Sequence, residues 1–153
     1  MLSPYEQTLE KLKSFCAYQE RTHQEVLKKM RTLGVPDEWK DEMICFLIEE
    51  NYLNELRYAQ SYVRGKFNLK SWGRQKIRYG LKAKNISDPC IEKAIQSEID
   101  LQKYKETLLY LIKKKAATLK PTAPFKTRQK LYAYAASKGY ESAPILEILN
   151  KYY

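Results

Sequence analysis

The sequence predicts an all-α fold: an elongated array of three tandem three-helix repeats with helix-turn-helix character. Three observations carry that expectation. The first is a repeat. Three times, a short helical segment with basic flanks ends in a small residue and an apolar one, and a new helix opens at once. Residues 25–30 lead to Gly34-Val35, residues 76–81 to Asn85-Ile86, and residues 130–135 to Gly139-Tyr140. Val26, Ile77 and Leu131 correspond, as do Val35, Ile86 and Tyr140, at offsets of 51 and then 54 residues. Periods of this size mark stacked helical units, each burying its apolar face on the next. Second, only 5 Gly and 6 Pro interrupt 153 residues rich in Leu, Lys, Glu, Tyr and Ala, a helix-forming mixture. Third, apolar residues recur at helical spacing, and no alternating strand pattern lies between turn signals. The units are expected at residues 1–53, 54–100 and 101–153.

In chain order, the first helix spans about residues 4–19, with Tyr5, Leu9, Leu12 and Cys16 on one face. Thr22-His23-Gln24-Glu25 has the form of a capping box and opens the second, which stops at Gly34, where a left-handed residue fits. Pro36-Asp37-Glu38 starts the third, with Trp39, Met43, Phe46 and Leu47 toward the core. In the second unit Leu56, Ala59, Val63 and Phe67 line a helix, and a break is expected around residues 68–71. The next helix covers residues 72–84, with Gly73 and Gly80 on its packed side. Glycine there lowers helix propensity by roughly 1 kcal/mol against alanine, so both point to close approach by a neighbour or a partner. Asn85 stands where Gly34 and Gly139 stand, and Asn is the next most tolerant residue of a left-handed backbone. Ser87 caps a helix that turns Ile91, Ala94 and Ile95 inward. The third unit opens near Leu101, with Tyr104, Leu108, Leu111 and Ile112 as its apolar face and Lys113-Lys114-Lys115 near the helix C-terminus, where cations are favoured. Pro121 and Pro124 bracket a linker-like stretch, followed by helices over about residues 126–138 and 143–152.

Net charge is +10, unevenly placed. Residues 1–55 hold 7 basic and 11 acidic groups; residues 56–153 hold 21 and 7. Residues 56–87 carry nine cations and no acid, and residues 107–140 carry eight and no acid. A merely soluble surface mixes the signs, so two acid-free basic stretches point to a polyanionic partner, nucleic acid first. A solvated basic face is the plain alternative. Cys16, Cys45 and Cys90 sit in apolar helical patterns, which suggests reduced, buried thiols and a cytoplasmic setting. The opening residues have no signal-peptide form, and the longest apolar run, residues 43–48, is too short to span a bilayer, so no membrane is expected. His23 is the only histidine and reads as a helix-start residue. No metal-ligand spacing, phosphate loop or nucleophile–base set occurs, so neither catalytic nor metal residues nor a cofactor is expected.

Arg74, Arg78 and Lys82 recur every four residues on one stripe, flanked by Lys76 and Lys84. Such a stripe tracks a phosphate backbone or an acidic protein groove. Arg128 and Lys130 occupy the positions of Arg74 and Lys76 one unit later, and arrays often reuse a face. Trp72 and Phe67 adjoin the stripe; aromatics among cations can stack the bases of a single strand, although Phe67 also continues a core stripe. Tyr62 and Tyr79 are the more exposed candidates.

The second unit resembles the RecX family, bacterial regulators of the RecA recombinase. The residues that carry the resemblance are Phe67, Lys70, Gly73, Arg74, Ile77, Leu81 and Lys84-Asn85-Ile86, preceded by Tyr52-Leu53-Asn54-Glu55, Tyr58-Ala59 and Tyr62-Val63-Arg64. Asn85 replaces the family's usual Gly, and Tyr79-Gly80 stands where a Glu commonly precedes the Leu. The resemblance implies a cytosolic, monomeric protein, not an enzyme, lodged in the groove of the RecA–single-stranded-DNA filament. There it would suppress ATP hydrolysis and strand exchange, and hence regulate recombination and repair. RecA and DNA would be met through Arg64, Lys66, Lys70, Trp72, Arg74, Lys76, Arg78, Lys82, Lys84, Lys126, Arg128 and Lys130. Single-stranded DNA is the expected nucleic acid, directly or through RecA, with duplex DNA a further option. The alternatives are an independent helix-turn-helix protein that reads duplex DNA, and an enzyme on nucleic acid, which the lack of clustered acids disfavours.

Overall fold

The computed structural model describes residues 1–153 as nine α-helices with no strand. The first unit is α1 (Pro4–Tyr18), α2 (His23–Thr32) and α3 (Asp37–Glu49); the second is α4 (Glu55–Lys70), α5 (Arg74–Ala83) and α6 (Asp88–Glu98); the third is α7 (Leu101–Ala116), α8 (Pro124–Ser137) and α9 (Ser142–Tyr152).

The repeat has a local physical cause. In each unit the turn between the second and third helices is a Schellman cap. Gly34, Asn85 and Gly139 take φ of 69°, 60° and 100°. Their N–H groups donate to Arg31, Lys82 and Ala136, three residues back. The next residues, Val35, Ile86 and Tyr140, donate to Met30, Leu81 and Ala135, five residues back. All three are buried, which supplies the hydrophobic contact that accompanies this cap. Helix starts follow sequence chemistry as well. Thr22 and Glu25 form the reciprocal capping box: Glu25 N–H donates to Thr22 Oγ1 at 3.1 Å and Thr22 N–H to Glu25 Oε1 at 3.3 Å. Asn54 and Asp100 cap α4 and α7 through the N–H groups of Arg57 and Lys103.

Several expectations require correction. No break interrupts residues 68–70: α4 continues to Lys70 and ends only where Ser71 turns left-handed at φ 57°. Asn68 and Leu69 are exposed, so nothing in packing ejects them from the helix, and the buried Phe67 anchors the last turn. The next helix opens at Arg74, two residues later than expected, because Gly73 is its N-cap. α8 and α9 each start slightly earlier than expected. Of the three cysteines only Cys16 is buried; Cys90 is half-buried and Cys45 is exposed on the outer face of α3.

The nine helices enclose two cores. Leu12, Cys16, Val26, Met30, Val35, Met43, Leu47 and Leu53 form that of the first unit. Eighteen buried residues, from Ala59 to Leu149, form one continuous core for the second and third units together. The accessible surface is 9637 Å², against roughly 8,100 Å² for a compact monomer of 18.1 kDa, the excess expected of an extended array. The first unit is tied to the rest chiefly by polar contacts. Arg57 donates through Nε to Glu20 at 2.6 Å and through Nη2 to the carbonyls of Asn51 and Tyr52.

The second and third units are joined backbone to backbone. Gly73 N–H donates to Lys138 O at 2.8 Å and Gln75 N–H to Gly139 O at 2.9 Å. Two of the middle unit's three glycines face close neighbours: Gly73 meets the Gly139 backbone and Gly80 lies under the Tyr62 ring, whereas Gly65 meets nothing within 4 Å.

Candidate functional site

The expected site residues lie on the second half of α4, the α4–α5 elbow, α5 and the start of α8, and the fold sorts them into two classes. The first class is bound into the protein. Arg74, half-buried, lies with its guanidinium 4.2 Å from the Tyr104 ring centroid and its Nε 2.7 Å from Glu141 Oε2. The Arg74 backbone N–H donates to Tyr104 Oη, which in turn donates to Glu141. Burial pushes the Tyr104 hydroxyl far above its ordinary range, and the Glu141 carboxylate beside it adds to the effect. Tyr104 also packs against Tyr140 at 4.9 Å and Phe67 at 5.9 Å between ring centroids. Arg78 grips Glu92 with two bonds, Nε at 2.8 Å and Nη2 at 3.2 Å, and holds Gln75 through Nη1. Arg64 reaches Glu98 at 2.6 Å, and that hydrogen bond holds the Glu98 carboxyl below its ordinary value. Lys82 lies 3.3 Å from Asp88. Arg128 donates to Leu149 O at 2.7 Å and to Asn150 Oδ1 at 2.9 Å, so it caps the C-terminus of α9.

The second class is free of carboxylates. Lys66, Lys70, Lys76, Lys84, Lys126 and Lys130 form no ion pair within 4.0 Å. Two of them flank Trp72: Lys66 Nζ is 4.7 Å and Lys76 Nζ 4.5 Å from its ring centroid. Trp72 is placed by the left-handed Ser71 before it and by the N-cap Gly73 after it, and it packs partly against the shared core. Lys66 also lies over Tyr62, whose ring covers Gly80. The result is a cationic aromatic ledge at the α4–α5 elbow, formed by Trp72, Lys66 and Lys76. Tyr79 is 77% exposed on the outer face of α5. Tyr62, expected as an exposed aromatic, is half-buried, because burying its ring over Gly80 leaves only part of it to solvent.

Arg74 and Arg128 illustrate what the repeat conceals. They correspond in sequence, yet one joins two units and the other caps a helix within one. Their partners, Glu141 and Asn150, carried no signal of their own, since the first pairing depends on how two units stack and the second on how α8 and α9 pack within one.

The family model for the second three-helix domain of RecX matches residues 54–95, and that for its third three-helix domain matches residues 102–149. The chain belongs to the RecX family. Regulatory protein RecX of Clostridium botulinum is 37% identical over 133 residues, covering 86% of this chain and 61% of that protein. Regulatory protein RecX of Bacillus mycoides is 33% identical over 135 residues, covering 88% of this chain and 49% of that protein. The chain thus spans about half to three-fifths of the length of these curated relatives. The crystal structure of RecX from Lactobacillus salivarius superposes with a TM-score of 0.87 at 26% identity, over 96% of this chain and 95% of that one. The two RecX domain matches together contain the Trp72 ledge and both sides of the Gly73–Gly139 junction. These RecX relatives are named as regulatory proteins, and no helix of this chain is long and apolar enough to cross a membrane.

Proposed function

We propose that this chain binds the groove of the RecA–single-stranded-DNA filament and restrains RecA's ATP hydrolysis and strand exchange. It acts by occupation, as a cytoplasmic monomer without cofactor or chemistry of its own. The observation that carries the reading is the Trp72 ledge: an aromatic ring between the ammonium groups of Lys66 and Lys76, neither neutralised by a carboxylate. An unpaired cation keeps its full attraction for a polyanion, and an accompanying aromatic face can stack a base or receive an arginine of a protein wall. Lys70, Lys84, Lys126 and Lys130 extend the positive field. Arg64, Arg74, Arg78, Lys82 and Arg128 contribute mainly by holding the elbow and its neighbours in place. Family membership supplies the regulatory role, and the extended form suits a wedge that spans neighbouring RecA subunits.

The test compares the salt dependence of binding to naked single-stranded DNA with that to the preformed RecA filament. Filament preference at physiological salt, with RecA's ATP turnover slowed in proportion to occupancy, is the expected result. Identical affinities and slopes on the two substrates would mean that the chain reads DNA alone, and would end this reading.

A further inference from the structure

The third unit carries a second group of unpaired cations that lies outside the Trp72 ledge. At the C-terminal end of α7, three consecutive lysines each rest on a different tyrosine. Lys113 Nζ lies 4.6 Å from the Tyr152 ring centroid, Lys114 Nζ 5.8 Å from Tyr110 and Lys115 Nζ 5.2 Å from Tyr134. The tyrosines belong to α9, α7 and α8 respectively, so the lysines form a collar where all three helices of the unit end or pass. None of these lysines has a carboxylate within ion-pair distance, in contrast to Arg64, Arg74, Arg78 and Lys82. Attraction to the helix C-terminus favours a cation in this turn. It does not account for three in succession, whose mutual repulsion no neighbouring acid relieves, nor for a ring under each.

We infer that this lysine–tyrosine collar is a binding site for single-stranded nucleic acid, separate from the Trp72 ledge. The lysines, fanned around the end of α7, would neutralise phosphates of a strand that wraps this end, while Tyr110, 62% exposed, and Tyr152, 42% exposed, offer ring faces for bases. Sequence-tolerant recognition follows, since every base has a stacking face. An anionic membrane shares the charge but not the fit. Of the aliphatic residues of this helix segment Leu108, Leu111 and Ile112 are buried and Leu109 is half-buried, so no broad apolar face remains to enter a bilayer. The site stands independently of the filament reading, because it needs no recombinase.

The test uses the full chain and a fluorescein-labelled oligothymidylate of about 20 nucleotides, long enough for one such site. The triple variant K113Q/K114Q/K115Q is expected to lower the slope of log affinity against log salt by about 2, at roughly 0.7 per phosphate contact for single strands. Tyr110→Ala is expected to weaken binding roughly 5- to 100-fold with the slope unchanged, and Tyr110→Phe to restore it, because stacking needs the ring and not the hydroxyl. On the unaltered protein, photocrosslinks from 4-thiothymidine should map to α7, which decides the matter should a variant fold poorly. Unchanged affinity and slope in the triple variant, crosslinks confined to the Trp72 region, or tighter binding to phosphatidylglycerol vesicles than to the oligonucleotide would each overturn the assignment. Any of those outcomes leaves filament binding through the Trp72 ledge to be judged by its own assay.

Discussion

Gly73 and Gly139 meet with no room for a side chain between them: a Cβ on Gly73 would stand 2.4 Å from the carbonyl carbon of Gly139. What it would strike is backbone, which no rotamer change can move aside. The same approach allows Gly73 and Gln75 to donate to the carbonyls of Lys138 and Gly139. Gly73→Ala should therefore destabilise the joined second and third units by about 1–3 kcal/mol, the range of overpacking in a close-fitted interior. Gly34→Ala is the control, since a Cβ there meets nothing within 4 Å and only its φ of 69° opposes the change. Denaturant unfolding followed by circular dichroism would rank the two, and a smaller loss for Gly73→Ala than for Gly34→Ala would contradict the packing argument.

Asn85 holds the cap position that glycine fills in the other two units, at φ 60°. Asparagine tolerates this backbone; alanine does not, at about 1–2 kcal/mol for an ordinary residue. Asn85→Gly should raise the unfolding midpoint slightly and Asn85→Ala should lower it. Equal midpoints for the two would mean that this φ is not retained in solution.

The Arg74–Glu141 pair crosses units with both side chains about three-quarters buried, whereas Arg64–Glu98 has its arginine half exposed. Double-mutant cycles should separate them. The inter-unit pair should show a coupling of about 1–2 kcal/mol and the exposed pair under about 1 kcal/mol. Tyr104 shares Glu141 as acceptor, so Tyr104→Phe should reduce the first coupling and leave the second untouched.

Alkaline titration probes the same region. Burial drives the hydroxyls of Tyr104 and Tyr140 well above their ordinary value of 10.0, and that of Tyr58 up to about 12. A folded-state pKa above the unfolded one means that the unfolded chain releases its proton first. The stability from these groups is whole below pH 10 and falls as pH climbs through the folded values. Ultraviolet titration of the 13 tyrosines should show an early set ionising near the ordinary range and a late set appearing together with unfolding. A single transition near pH 10 with helicity retained would contradict the burial of Tyr104 and Tyr140.

These relationships were unequally legible in the sequence. The caps at Gly34, Asn85 and Gly139 could be read because a Schellman turn is local: one left-handed residue and one apolar residue after it determine the outcome. The close approach at Gly73 and Gly80 could be inferred from the low helix propensity of glycine, but not the neighbour. Gly139 and the Tyr62 ring become neighbours only through stacking and side-chain packing. The break expected around residues 68–71 begins only at Ser71: the buried Phe67 anchors the last turn of α4, and the helix ends where Ser71 turns left-handed, a tertiary anchor and a backbone turn that helical periodicity does not show. The cationic stripe of Arg74, Arg78 and Lys82 was visible as charge. Its pairing with Glu141, Glu92 and Asp88 was not, because periodicity places a cation on a face without saying which acid the fold brings to it.

That pairing leads to the prediction on which the functional reading turns. An arginine already gripped by a carboxylate gives up that bond to meet a phosphate, so its net gain on binding is small. A lysine resting on an aromatic ring gives up little, and the counterions released when it meets a phosphate make binding steeply salt-dependent. Removing Lys66 and Lys76 together by substitution with Gln should therefore weaken filament binding strongly and lower its salt slope. Arg78→Gln should leave the slope near the parent value and show its effect in thermal stability instead, because Glu92 loses its two-bonded partner. Trp72→Ala should weaken binding at every salt concentration alike, since the lost ring contributes contact and not charge. Equilibrium titration of labelled filament against each variant, across a salt series, reads all three. A slope that falls for Arg78→Gln and holds for the lysine pair would place the binding charge on the stripe and remove the Trp72 ledge from the interface.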